Sequence, residues 1–177
     1  VGTRLNLEMS TIKEIVDITC MIKPDQSTLV PEKRAELTTE GGLNAAGSRL
    51  KLKSVVKRLK KNGILVSLFI DPDRRQIDVS RDLGADSVEI HTGMYANAKS
   101  AKESKFELER IRDSVQYGLD IGLKVNAGHG LTYQNVKDIV DIPGIEELNI
   151  GHSIISRAAL VGLDKAVREM LALMVQR

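Results

Sequence analysis

Short apolar runs alternate with amphipathic stretches along the whole of this 177-residue chain. The apolar runs are rich in Val, Ile and Leu, and Gly, Asp or Pro often bounds them, a pattern that predicts β-strands. Six strands are predicted in this way, over residues 4–9, 26–30, 64–70, 86–91, 123–128 and 146–151. Helices are predicted between them, and the clearest covers residues 49–61. Its apolar positions are spaced i, i+3, i+4 and i+7, at Leu52, Val55, Val56 and Leu59.

Glycines mark the places where predicted helices should stop before the next strand, at Gly63, Gly84 and Gly122. A βα unit repeated six times predicts an α/β fold with a parallel sheet, either open and doubly wound or closed into a barrel. No glycine-rich dinucleotide fingerprint follows the first strand, and unusual polar residues end many strands, so we favour the (β/α)₈ TIM barrel. A complete barrel takes about 250 residues. We therefore expect one barrel domain over residues 1–177 that lacks roughly the first two βα units.

All three histidines of the chain lie at or just past the end of a predicted strand. His91 ends VEIH, His129 follows VNAG, and His152 follows LNIG. In a parallel barrel the carboxyl ends of the strands form one rim, where active sites are built. A single histidine in such a loop can equally be an ordinary polar residue or a functional one. Three histidines at one rim favour an active site there.

Two carboxylates interrupt strands that are otherwise apolar. Strand alternation places Glu8 on the side of its strand opposite Leu7, and Glu89 on the same side as His91. A buried carboxylate must be neutral, paired or in contact with a ligand, so structural ion pairing is an equal alternative for each. Asp71 precedes Pro72, and we interpret it as the N-cap of the next helix.

Glycines flank the last two strand ends, where barrel enzymes often bind phosphate on free backbone amides. Gly130 precedes a helix expected near Thr132, and Gly151 precedes one expected near Ser153. Each glycine alone is more often a turn residue. Together they predict that phosphate or sulfate binds at the amides near Gly130 and His152.

A long loop over residues 31–47 contains two threonines and two consecutive glycines, which would supply the hydroxyls and hinges of a lid, and a plain solvated insertion is the alternative. The basic helix 49–61 is interpreted as a solvated face, since no aromatic residues interleave its charges. A net charge of +2 gives no electrostatic footprint for nucleic acid. No apolar run approaches the roughly 20 residues of a membrane span, and the single cysteine fits a reducing compartment, so we expect a cytoplasmic protein.

Seven strings, in this order, resemble the pyridoxine 5'-phosphate synthase family: NLEM, LVPEKR, TTEGGL, VSLFID, EIHTG, LKVNAGHGLTY and ELNIGH. The resemblance covers essentially the whole chain, and NAGHGLTY with NIGH is its most specific part. It implies a TIM barrel with extra helices that assembles into a homo-octamer. It also implies the condensation of 3-amino-2-oxopropyl phosphate with 1-deoxy-D-xylulose 5-phosphate to pyridoxine 5'-phosphate, phosphate and water, without metal or organic cofactor.

The resemblance also assigns roles to individual positions. It implies that Glu8 is a general base, His129 a proton donor and Glu89 the acid that stabilises the transition state. Substrate-binding positions are implied at Thr38 for the deoxyxylulose phosphate and at Gly130, Gly151 and His152 for the aminoketone phosphate. The resemblance gives His91 no catalytic role.

Two other classes of function stay open at this stage. One is a barrel enzyme that acts on a single sugar phosphate, and the other is a phosphate-binding module without catalysis. The family's first two strands carry Asn-x-Asp-His and His-x-Arg segments, and neither occurs in this sequence. We therefore expect these 177 residues alone not to synthesise pyridoxine 5'-phosphate at an appreciable rate.

Overall fold

Six parallel strands and the helices between them build the molecule, in a computed structural model that describes residues 2–32 and 41–175. The strands are β1 (Asn6–Met9), β2 (Gln26–Leu29), β3 (Leu65–Ile70), β4 (Ser87–His91), β5 (Lys124–Gly128) and β6 (Ile145–Asn149). The helices are α1 (Lys13–Ile22), α2 (Arg49–Lys61), α3 (Arg74–Asp82), α4 (Gly93–Ala96), α5 (Ala101–Asp120), α6 (Val136–Val140), α7 (His152–Val161) and α8 (Leu163–Met174).

The strands form one sheet in chain order from β1 to β6, with every neighbouring pair parallel. Arg4, just before β1, forms an ion pair with Glu147 of β6, so the sheet curls until side chains at its two edges meet. All six predicted strands are present, each within one or two residues of its predicted ends. The α/β barrel class is therefore confirmed, in the form of a partial TIM barrel.

The outer face of the sheet and the inner faces of the helices form the hydrophobic core. Leu68 of β3 and Ile90 of β4 are fully buried there, together with Ile77 of α3 and Ile111 of α5. The predicted apolar stripe of α2 is also confirmed, because all four of its residues belong to this core. Their burial supplies most of the driving force that holds the helices on the sheet.

Helix ends agree with the glycine signals but not with the predicted cap at Asp71. Gly63, Gly84 and Gly122 have φ values of 79°, 81° and 85° just after α2, α3 and α5, a conformation that glycine adopts without strain. The N-cap of α3 is Asp73, whose side chain accepts a hydrogen bond from the backbone N–H of Arg75. The capping interpretation of Asp71 is therefore wrong, because the helix begins two residues later than Pro72 suggests.

Candidate active site

Polar side chains occupy the inner face of the sheet, at positions that alternate with the apolar core residues. The parallel register aligns Glu8 with Thr28, Thr28 with Ser67, and Ser67 with Ser87, which makes one polar row across four strands. The next row towards the carboxyl ends holds Phe69, Glu89 and Asn126. The predicted inward direction of Glu89 is thus confirmed, since Val88 and Ile90 on either side of it lie in the outer core.

Glu89 lies at the centre of this inner face and is only 3% exposed. Its Oε2 accepts a hydrogen bond of 2.6 Å from Nδ2 of Asn149, at the end of β6. Its Oε1 faces Gly128, where a methyl group would lie only 2.5 Å away. Burial raises the pKa of Glu89 to about 7 against the opposing effect of the Asn149 hydrogen bond, and the charges of Glu8 and Glu147 raise it further. Near neutral pH this carboxyl group can therefore both give and take a proton.

Glu8 lies on the same inner face but near the sheet edge, where its side chain is exposed. Met9, the next residue of β1, is buried in the outer core, so strand alternation directs Glu8 inward. Its charge acts on the pKa of Glu89, which places the two carboxyl groups within electrostatic range of each other.

His129 is held in an unusual backbone conformation at the turn after β5. Its φ is 81°, in the left-handed region that favours glycine, and Gly130 follows with a φ of 74°. Thr92 Oγ1 lies 2.7 Å from the carbonyl oxygen of Gly128 and 2.6 Å from that of His129. The backbone N–H of Thr92 also donates to the Gly128 carbonyl. The end of β4 thus anchors the turn that presents the His129 side chain.

Three rings pack together above Glu89 at the carboxyl ends of β3, β4 and β5. The centroids of His91 and His129 are 4.9 Å apart, and that of Phe69 lies 5.0 Å from His91 and 6.2 Å from His129. Phe69 meets His91 at 69°, an edge-to-face geometry that is favourable for aromatic pairs. The predicted meeting of His91 and His129 at one rim is confirmed.

Asp71 contacts His91 of this cluster and does not cap a helix. Its Oδ1 lies 3.0 Å from Nδ1 of His91 and accepts a 2.9 Å hydrogen bond from the backbone N–H of Gly42. The hydrogen bond with His91 lowers the pKa of Asp71 against the effect of burial, and the Gly42 N–H lowers it further. Asp71 is therefore an anion that holds one side of the His91 ring.

The predicted phosphate-binding glycines lie just past the carboxyl ends of β5 and β6. Gly151 is the N-cap of α7, which begins at His152, and both residues are exposed. The helix expected near Thr132 begins only at Val136 and is five residues long, because residues 133–135 form a turn first. Gly130 is exposed in that stretch, and Thr38 lies outside the described residues.

Sequence reasoning missed two partners of the central residues, Asn149 and Thr92. Asn149 is paired in register with Gly128, and Thr92 directly follows the last residue of β4. A polar residue at a strand end was the available signal for both. Neither could be matched to its partner without the sheet register.

A groove of about 850 Å³ runs along β6, lined by residues 140–148 and Met174, and contains none of the candidate site residues. Within residues 2–32 and 41–175 no group of three or more His, Cys, Asp or Glu side chains is arranged to hold a metal ion. No helix in that same part of the chain is long and apolar enough to cross a membrane.

Solved structures with low sequence identity share the fold. A mutant tryptophan synthase alpha-subunit from Pyrococcus furiosus superposes with a TM-score of 0.67 at 15% identity, covering 97% of this chain and 68% of that one. A xylose isomerase domain protein from Planctomyces limnophilus gives a TM-score of 0.56 at 12% identity, covering 98% of this chain and 72% of the other. At such identities only the architecture is shared.

Sequence relatives are much closer. A protein named pyridoxine 5'-phosphate synthase from a Synechococcus strain is 58% identical over 170 residues, which are 96% of this chain and 71% of the relative. One of the same name from Trichlorobacter lovleyi is 55% identical over 173 residues, 98% of this chain and 72% of the relative. The model of the family described as "Pyridoxal phosphate biosynthesis protein PdxJ" matches residues 1–176. The chain therefore belongs to this pyridoxal phosphate biosynthesis family.

Proposed function

We propose that the chain acts as a pyridoxine 5'-phosphate synthase. In this reaction 3-amino-2-oxopropyl phosphate and 1-deoxy-D-xylulose 5-phosphate condense to pyridoxine 5'-phosphate, with release of phosphate and water. The observation that carries the proposal is the buried Glu89, with a pKa of about 7, on the same inner face as Glu8 and next to the His129 turn. Family membership and relatives of that name support the choice of reaction.

The chemistry explains why these residue types are needed. Imine formation, loss of water, expulsion of phosphate and ring closure each move protons, so several acids and bases must be held in fixed places. Glu8, exposed on the same inner face, is assigned as the general base from the family resemblance. Glu89 is assigned as the acid that stabilises charge in the transition state, since a group with a pKa near 7 can change protonation state during turnover. His129 is assigned as the proton donor.

Two phosphorylated substrates require two anion-binding positions. Gly130, Gly151 and His152 are assigned to the aminoketone phosphate, because Gly151 and His152 are exposed at the start of α7, where backbone N–H groups can bind an anion. Thr38 is assigned to the deoxyxylulose phosphate from the family resemblance alone. Holding both substrates on one rim lowers the entropic barrier of joining them.

Assembly and location belong to the same proposal. We assign a homo-octamer in the cytoplasm, with phosphorylated small molecules as the ligands and neither nucleic acid nor membrane as a partner. Several large apolar side chains are exposed on the outer helices, as expected for surfaces that pack against other subunits: Met21, Leu50, Ile155 and Leu160. Light scattering should give eight times the mass of the chain, and a monomer mass would contradict the assembly.

Because the 177 residues alone are expected to show no appreciable turnover, the test of the function uses a fusion in which the first two βα units of a relative precede this chain. The purified fusion is mixed with both substrates and pyridoxine 5'-phosphate is followed, with each substrate omitted in turn. Product that requires both substrates and is lost in Glu8→Gln supports the synthase. Turnover of one sugar phosphate alone would overturn it in favour of a single-substrate barrel enzyme. Binding of both substrates without product in any mixture would leave a phosphate-binding module as the function.

Phosphate binding has its own readout. Inorganic phosphate added to labelled protein should shift the backbone amide signals near Gly130 and His152, and a Gly151→Pro variant should lose the shift at His152. Amide signals that stay fixed during the titration would contradict the assigned anion site.

A further inference from the structure

One buried titratable side chain at the rim has no role in the proposed chemistry. His91 is 2% exposed, and its ring packs between Phe69 and His129. It cannot reach solvent in this arrangement, and its partner Asp71 lies on the neighbouring strand end. A buried imidazole that is held on one side by a carboxylate and meets a proposed acid on the other side invites a specific explanation.

The Asp71 carboxylate decides which nitrogen of a neutral His91 carries the proton. An ionised carboxylate only accepts hydrogen bonds, so Nδ1 of His91, 3.0 Å from Oδ1, must be the donor. The Gly42 N–H fixes the same oxygen at 2.9 Å and keeps the carboxylate in place. Nε2 of the neutral ring is then bare and can only accept.

Nε2 of His91 is buried and has no hydrogen-bond partner within residues 2–32 and 41–175. Buried polar atoms nearly always have a partner, so a bare acceptor here needs an explanation. A methyl group at Gly93 would lie 2.4 Å from this Nε2 and 3.2 Å from Cδ2 of His129. Nε2 of His91 and Cδ2 of His129 therefore both lie beside Gly93, where there is no space for a larger residue.

We propose that Asp71 and His91 are a positioning pair for His129, in which Asp71 fixes the tautomer of His91 and His91 presents bare Nε2 as an acceptor beside the His129 ring. The pair does not touch substrate. The pair orients the imidazole of His129, which the proposed function assigns as proton donor. This inference therefore rests on the proposed function. The arrangement follows the general logic by which a carboxylate orients a histidine in acid–base sites.

The charged and titratable groups that face His91 come from the neighbouring strands. Asp71 follows β3, Glu89 precedes His91 by two positions on the same face of β4, and His129 follows β5. Arg110 of α5 acts electrostatically on Asp71. Because Asp71 is the group hydrogen-bonded to the ring, its removal is the most direct way to disturb the tautomer.

The first test is nuclear magnetic resonance of the imidazole nitrogens, which needs no turnover and is simplified by the presence of only three histidines. Wild-type protein at alkaline pH should show His91 with a protonated Nδ1 and a bare Nε2. Asp71→Ala should shift His91 towards the Nε2–H form and move the ring signals of His129. Asp73→Ala is the matched control, since it removes the α3 cap and some stability but should leave both rings unchanged.

The second test is kinetic and uses His91→Phe, which keeps an aromatic ring against Phe69 but removes the acceptor. We expect kcat to fall about 10- to 100-fold, as a misplaced catalytic group does, with KM nearly unchanged. Asp73→Ala should keep the wild-type kcat.

The proposal is overturned if wild-type His91 carries its proton on Nε2, if a folded Asp71→Ala leaves both rings unchanged, or if His91→Phe keeps full kcat. A fusion that carries the first two βα units of a relative and still shows no turnover would contradict the proposed function. The resonance experiment would still decide whether Asp71 and His91 position His129.

Discussion

The two faces of the sheet differ sharply although the same six strands form both. On the outer face, Leu68, Val88 and Ile90 are fully buried in a continuous apolar core. On the inner face of the same strands, Ser67, Ser87 and Glu89 are almost as deeply buried, yet they are polar. The outer face stabilises the fold, whereas the buried polar groups of the inner face lower its stability and serve the proposed chemistry.

The inner face shows that cost in three ways. The hydroxyl oxygens of Ser67 and Ser87 have no hydrogen-bond partner within the described residues, 2–32 and 41–175. Glu89 has a raised pKa because burial disfavours its charge. His129 has a left-handed backbone. Each of these features is unfavourable for folding alone and explicable if the face binds and transforms polar ligands.

The largest expected effect is a loss of activity, without a loss of stability, when His129 is replaced. His129→Asn should lower kcat about 10²- to 10⁴-fold through loss of the proton donor, while the melting temperature stays close to wild type. Asparagine tolerates the left-handed conformation, so the turn should survive. Steady-state kinetics and a thermal melt on the same sample check this. Retention of wild-type kcat would contradict the assigned role.

The free energy of unfolding should respond to a much greater extent to truncation on the outer face of β3 than to truncation on its inner face. Leu68→Ala removes a fully buried side chain from the outer core and should reduce the free energy of unfolding by about 2–5 kcal/mol. Ser67→Ala, its neighbour on the inner face, removes a buried hydroxyl and should change it by less than about 1 kcal/mol. Urea denaturation of both variants measures the contrast. Equal losses would show that the inner face stabilises the fold as much as the outer face does.

Glu89 should make stability depend on pH. Its pKa is about 7 in the folded protein against an ordinary value of 4.5, so the folded state binds more protons between these values. The free energy of unfolding therefore falls as pH rises from 4.5 to 7, and the full penalty of about 3 kcal/mol is present above pH 7.

Glu89→Gln removes this titrating group and therefore tests whether the free energy of unfolding falls as pH rises. The variant should be more stable than wild type at pH 8 and about equal to it at pH 4.5, as measured by urea denaturation at both values. Glu146→Gln, an exposed carboxylate of β6, is the matched control and should show no such difference. A Glu89→Gln variant that is less stable than wild type at pH 8 would contradict the buried, protonated Glu89.

The smallest expected effect is a gain in stability at the turn after β5. His129→Gly relieves the strain of a φ of 81° but adds freedom to the unfolded chain, so we expect a net gain of at most about 1 kcal/mol. Activity should be lost in the same variant. A loss of stability would mean that the packing of His129 on His91 outweighs its backbone strain.

Much of this architecture follows from local pattern. Alternation of short apolar runs with amphipathic stretches predicted all six strands and the α2 stripe, because each run must bury one face whatever its neighbours are. The rule that parallel strands share a carboxyl rim also predicted that His91 and His129 would meet. The positive φ of His129 was not predicted.

Other features depended on residues that are distant in sequence. Asp71 is 20 positions from His91, and Asn149 is 60 positions from Glu89. Local reasoning interpreted Asp71 as a helix cap, because a carboxylate before proline is equally suited to capping and to binding an imidazole. Only the register of β3, β4, β5 and β6 decided which groups would meet. The sequence by itself thus determined which strands form and which end carries the chemistry. The tertiary structure decided the partners of Asp71 and Glu89, and with them the pKa values, because burial and contact are properties of the folded chain.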